Sequence, residues 1–142
     1  MNLFFRQFLY AIFLCLPLYG TTPEAVLEAF SKKFPEIIEP KWKEEDNNIW
    51  EANFISEGVK YRADFKANGA WVETERDLIS DQLPQEVRSA IELNYDVNNV
   101  LDIEAVESPT HGVFYDVEFR RGAEKEDIMF CLLYTSPSPR DA

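Results

Sequence analysis

The feature that most constrains this chain is an internal echo. Pro23-Glu24-Ala25-Val26-Leu27-Glu28-Ala29-Phe30 returns as Pro84-Gln85-Glu86-Val87-Arg88-Ser89-Ala90-Ile91. Phe34 then matches Tyr95, Trp42 matches Ile103, Trp50-Glu51-Ala52-Asn53-Phe54 matches Tyr115-Asp116-Val117-Glu118-Phe119, and Phe65 matches Phe130. An echo of this length reads as a supersecondary unit that buries its apolar face against a neighbour. The expected fold class is therefore α+β, with two tandem helix-plus-antiparallel-strand units forming one sheet and the helices on one face. The units fall at residues 21–76 and 77–130, the second incomplete.

Local patterns fill in the unit. Thr22 suits a helix N-cap and Pro23 a first helical position, where its missing N–H is no loss. Val26, Leu27, Phe30 and Phe34 recur at helical spacing, and Pro35 stops the run. Val87, Ile91 and Tyr95 repeat that logic, with an end near Asp96. Residues 49–55 and 59–66 alternate as strands, turned at Glu57-Gly58. Asn68-Gly69 is a two-residue hairpin signal, because both residues accept positive φ. Pairing Ala67 with Ala70 would set Phe65 opposite Val72, Lys66 opposite Trp71, Asp64 opposite Glu73, and Arg62 opposite Glu75. Trp50, Ala52, Phe54, Tyr61, Ala63, Phe65 and Val72 then face the helix. Glu51, Asn53, Arg62, Asp64, Lys66, Trp71, Glu73 and Glu75 face water, as one side of an antiparallel sheet often does. Later strands are expected at residues 100–107, 113–120 and 123–130, with Tyr115, Val117 and Phe119 inward and Phe114, Asp116 and Glu118 outward. Trp42 and Trp50 read as core.

The ends read differently from the middle. Residues 1–20 carry Arg6 as the sole charge before an apolar run from Phe8 to Leu18, the pattern of a secretory signal peptide and short for a membrane span. Lipidation at Cys15 is disfavoured, because Ile12-Phe13-Leu14 lacks the small residue expected beside a lipidated cysteine. Cys131 opens the segment 131–142, which has no counterpart in the first unit and reads as a non-native tail resembling translated adaptor sequence. Ser136-Pro137-Ser138-Pro139 should leave the chain irregular and exposed beyond Thr135. No disulfide staples the remaining domain, which is long enough to bury its own core. The formal net charge is −12, and it disfavours nucleic acid and anionic membrane surfaces as partners.

The proline-led helix, the Phe34-Pro35 stop, Trp42, the Trp50–Phe54 strand and Asn68-Gly69-Ala70-Trp71-Val72-Glu73-Thr74-Glu75 together resemble the PepSY-like, β-lactamase-inhibitor-like family over residues 22–130. The resemblance implies small exported bacterial proteins that bind or inhibit, and it carries over no catalytic residue. Glu126, at an inward-reading position, and the lost final strand depart from the family pattern.

Chemistry is sparse. His111 is the single histidine, and Ser108-Pro109-Thr110-His111-Gly112 reads as a solvated hairpin loop. No zinc-ligand spacing, phosphate loop or nucleophile elbow occurs, so no enzyme and no cofactor is expected. Asp64 and Glu73 should be cross-strand neighbours, with Lys66 and Arg62 beside them, which reads as an ion-pair lattice. Glu44-Glu45-Asp46-Asn47-Asn48 offers hard oxygen ligands without EF-hand spacing. The expected function is a periplasmic or secreted, non-enzymatic binding module, in which Trp71 and Phe114 anchor a partner amid Glu51, Asp64, Glu73, Glu75, Asp116 and Glu118. The partner would be an envelope or secreted protein, with a hydrolase that the module inhibits as one form. The alternative is a small-ligand or calcium sensor.

Overall fold

The computed structural model describes residues 21–132 and the backbone of Ser138 and Pro139. The expected signal segment, residues 1–20, lies outside the described residues. Helix α1 spans Glu24–Lys33, followed by strands β1 Lys41–Glu45, β2 Ile49–Ser56, β3 Val59–Lys66 and β4 Trp71–Asp77. Helix α2 spans Gln85–Asn94, then come β5 Val100–Ser108, β6 Gly112–Arg121, β7 Glu124–Cys131 and β8 Ser138–Pro139.

The expectation of two tandem helix-plus-strand units is corrected. The chain builds a single antiparallel sheet in which every strand pairs with its neighbours in sequence, from β1 to β8. Strand β4 pairs with β5 from Thr74↔Glu107 to Asp77↔Glu104, straight across the expected unit boundary. Two separate edges there would leave two rows of unpaired N–H and C=O groups, and joining them satisfies both. The helices are minor partners: α1 buries Val26 and Phe30, and α2 buries Val87 and Ile91.

Each helix begins one residue later than Pro would as a first helical position. Pro23 and Pro84 are the N-caps, and the Pro23 carbonyl accepts from the N–H groups of Val26 and Leu27 at 3.0 and 3.1 Å. Helix α1 stops at Lys33, before Phe34-Pro35, as the proline requires. Leu27, placed on the apolar stripe by its spacing, is 42% exposed. Phe30 is the hub of the α1 core, with ring centroids 5.1 to 6.2 Å from Phe34, Trp42, Phe54 and Phe65. Trp50, Ala52 and Ala63 complete that cluster. Under α2, Leu78, Leu83, Ile103, Val117, Phe119, Ile128 and Phe130 pack with Val87 and Ile91. Burial of each large apolar side chain contributes about 1.5–3 kcal/mol.

The β3–β4 turn decides which way Trp71 points. Asn68 does not adopt positive φ, whereas Gly69 does, at +83°. The loop is thus three residues, Ala67-Asn68-Gly69, closed by Lys66 N–H donating to the Ala70 carbonyl at 2.9 Å, the form that ends in a left-handed glycine. Phe65 therefore pairs with Trp71, and a bulge at Val72 restores Asp64↔Glu73 and Arg62↔Glu75. The expected Lys66–Trp71 pairing and the water-facing position of Trp71 are corrected: a one-residue slip moves a side chain to the other face. Trp71 lies on the helix-bearing side, packed against the α1 cluster. Its Nε1–H donates to Thr74 Oγ1 at 3.0 Å, and Lys33 Nζ sits 3.5 Å from its ring centroid.

Phe114 faces the helix-free side as expected, but it is 2% exposed. It pairs with Val106 and Cys131, and His111 lies 6.0 Å from its ring. The chain beyond Thr135 is not wholly irregular either. Ser138 and Pro139 pair with Met129 and Ile128, a place Pro tolerates because it is the sheet's edge. Residues 133–137 and 140–142 lie outside the described residues.

Candidate functional site

The helix-free face of the sheet gathers carboxylates from six successive strands. Strand alternation puts Glu51 of β2 opposite Asp64 of β3, and Asp64 opposite Glu73 of β4. Glu104 of β5 stands opposite Asp116 of β6, and Glu118 opposite Asp127 of β7. All six acidic residues expected on this face, Glu51, Asp64, Glu73, Glu75, Asp116 and Glu118, occupy it together. Of the two expected aromatic anchors, Trp71 is on the opposite side and Phe114 is covered.

A concavity of about 250 Å³ opens on this face, lined by Arg62, Glu75, Asp102, Glu104, Asp116, Glu118 and Asp127. Arg62 ties three strands together there. Its Nε donates to Glu75 Oε2 at 2.7 Å and its Nη2 to Glu104 Oε1 at 2.5 Å. Both carboxylates are 14% exposed, and Arg62 is 42% exposed. Farther along, Lys125 Nζ reaches Glu118 Oε1 at 2.8 Å, and Asn53 Nδ2 donates to Glu51 Oε1 at 2.6 Å. The expected ion-pair lattice exists, but its centre is Arg62 and Glu104.

The crowding of like charges is visible in the acidities. Burial, reinforced by the charges of Glu51, Glu75 and Glu73, pushes the Asp64 carboxyl up to about 7 against the pull of Arg62. Asp64 Oδ1 is buried without a hydrogen bond. Burial and the Glu75 charge push Glu104 up to about 7 as well, outweighing its contact with Arg62. Desolvation works against the Arg62 charge, yet Glu75 and Glu104 hold its pKa above the ordinary value.

Glu104, Asp102 and Asp127 escaped the sequence reading. Their signal was alternation within residues 100–107 and 124–131. Without the β4–β5 pairing, nothing joined that alternation to Arg62.

The acidic loop does not assemble a cation site. Glu44 pairs with Trp50 and Glu45 with Ile49, so adjacent side chains leave on opposite faces. Asn47 and Asn48 take positive φ, 61° and 59°, to make a tight hairpin, and Glu45 pairs with Lys43. Among the described residues no three His, Cys, Asp or Glu side chains converge as metal ligands. His111 lies in the β5–β6 turn, its Nδ1 3.0 Å from Thr110 Oγ1 and its N–H donating to Ser108 Oγ at 3.2 Å. Those contacts stay within the loop. No helix of the described residues is long and apolar enough to cross a membrane.

The fold has solved counterparts. A DUF2874 family protein from Bacteroides ovatus is 26% identical, with a TM-score of 0.68 over 78% of this chain and 81% of that one. A BLIP-like protein from Bacteroides fragilis is 25% identical, with a TM-score of 0.68 over 87% of this chain and 92% of that one. A protein from Bacteroides eggerthii described as periplasmic shares the fold, at 23% identity and a TM-score of 0.70 over 78% of this chain and 82% of that one. No curated protein matches the sequence. The family model described as "Putative beta-lactamase-inhibitor-like, PepSY-like" matches residues 48–131, more than half of the chain. This chain belongs to the PepSY-like, β-lactamase-inhibitor-like family.

Proposed function

We propose that this protein is an exported, non-enzymatic binding module that holds a basic patch of an envelope protein against its helix-free sheet face. The observation that carries this reading is the acidic carpet itself: carboxylates of β2 to β7 on one open face, with a single guanidinium at the centre of the concavity. The lysines on this face, such as Lys125 at Glu118 and Lys60 at Asp77, leave an excess of carboxylates, and such an excess speeds encounter with a partner of the other sign and disfavours like-charged competitors. The family description and the BLIP-like counterpart support inhibition of an envelope hydrolase as the form this binding takes. The counterpart described as periplasmic and the apolar run from Phe8 to Leu18 support export through a signal peptide.

Phe114 lies on this face but is covered, so it does not protrude as an anchor. Trp71 belongs to the scaffold on the other side. The test is binding of the immobilised protein to purified periplasmic hydrolases, β-lactamases first, across a salt series. Saturable binding that weakens with salt and is lost in the doubly charge-reversed variant Glu51→Lys/Glu118→Lys is the expected result. Absence of binding across the set, or binding that the charge reversal leaves intact, overturns the proposal.

A further inference from the structure

The helix-bearing side carries a second concavity, on the face opposite the acidic carpet. One cross-strand row runs Tyr61↔Arg76↔Ala105↔Tyr115, from β3 to β6. At this seam the sheet forms a groove of about 400 Å³ between the end of α1 and the β5–β6 hairpin, within the size range of small-molecule sites. Ala105 is 8% exposed; its small side chain leaves a notch between a guanidinium and a phenol. Val113, 54% exposed, forms an apolar lip.

The charge here opposes that of the whole molecule. Glu107 is answered by Lys33, 3.8 Å away, which also lies over Trp71. Arg76 is exposed, and among the described residues its guanidinium makes no ion pair or side-chain hydrogen bond. In a chain of net charge −12, an arginine with no carboxylate partner among the described residues stands beside half-buried Tyr61, with half-buried Tyr115 one strand farther along the row beyond Ala105. A planar fork of this kind suits a carboxylate, and its aromatic flanks suit an apolar or aromatic body.

We infer that the groove at Tyr61, Arg76, Ala105 and Tyr115 binds a small amphipathic carboxylate, its anion on Arg76 and its aromatic or branched body in the Ala105 notch. One unpaired guanidinium matches a monoanion, where a phosphate group would call for further donors. The site is independent of the acidic face and of any partner held there.

The experiment is an amide-resolved NMR titration of the full chain with three probes. N-acetyl-phenylalanine carries both anion and body, its C-terminal amide carries the body alone, and inorganic phosphate carries an anion alone. The expected result is saturable shifts at Tyr61, Arg76, Ala105 and Tyr115 with the first probe, at a dissociation constant of about 1 mM. The amide and phosphate should bind about tenfold or more weakly, as should the carboxylate to Arg76→Gln, because a charge-assisted pair is lost. Shifts that fail to saturate, that the amide or phosphate reproduces equally, or that persist in Arg76→Gln overturn the inference.

Discussion

Gly69→Ala tests how the first hairpin locks onto the first helix. Gly69 has φ +83°, and a Cβ placed there would lie 2.5 Å from the Ala25 carbonyl oxygen and 3.0 Å from its carbonyl carbon. The obstacle is helix backbone, so it cannot swing aside. Gly58 is the matched control, with φ +80° and nothing within 4 Å of its Cβ position. The backbone penalty for a left-handed alanine is about 1–2 kcal/mol at either position. Overpacking against α1 adds about 1–3 kcal/mol at Gly69 alone. The expected loss is therefore about 2–5 kcal/mol for Gly69→Ala and about 1–2 kcal/mol for Gly58→Ala. Against a total stability of about 5–15 kcal/mol, the first is severe and the second tolerable. Urea unfolding followed by circular dichroism and tryptophan fluorescence reads both from their midpoints at constant slope. Equal losses in the two variants would refute the close approach of the turn to α1.

Three further outcomes follow from the same geometry. Trp71→Ala should destabilise by about 2–3 kcal/mol, short of a fully buried tryptophan, because it removes the Lys33 contact and strips Thr74 of its donor; an unchanged thermal midpoint would contradict its place on the helix side. Asp64 and Glu104 have folded pKa values raised to about 7 from 3.8 and 4.5, so the folded chain holds these protons more tightly than the unfolded chain. That stability is full below about pH 4 and is lost as pH rises through about 7, in total about 1–2 kcal/mol after solvent screening. Asp64→Asn/Glu104→Gln should flatten the wild-type decline between about pH 5 and pH 8 in urea midpoints, and an equal decline in both proteins would count against it. Arg62→Met should cost about 1–3 kcal/mol at about pH 8 by leaving Glu75 and Glu104 to repel across β4–β5, and Glu104→Gln should restore part of it in a double-mutant cycle; additive losses would show that the pair is not coupled.

Much of this protein is written locally. Helical spacing at Val26–Phe30 and Val87–Ile91, with proline before each run, specified both helices without tertiary help. Period-two alternation assigned Trp50, Ala52 and Phe54 to the core, and likewise Tyr115, Val117 and Phe119, and it assigned Glu51, Asp64, Asp116 and Glu118 to the opposite side. The fate of Trp71 was not local. Asn68-Gly69 is compatible with two-residue and three-residue turns; the folded chain adopts the three-residue form, with Gly69 close against Ala25 of α1. One residue of loop length then moved the tryptophan from water to the core side, because side chains alternate and a single slip inverts them. The internal echo likewise misled about organisation. Similar local patterns at residues 23–65 and 84–130 say what each segment forms, and the single sheet they implied is present; the β4–β5 pairing runs straight across the expected boundary, so the segments are not separate helix-plus-strand units. That same pairing brings Glu104 to Arg62, a contact between residues far apart in the chain, and it lays Arg76 between Tyr61 and Tyr115. Alternation assigned the faces of most strands; the tertiary register decided which side chains meet on them and on which face Trp71 lies, because a hydrogen-bonded ladder is a long-range choice with no period of its own.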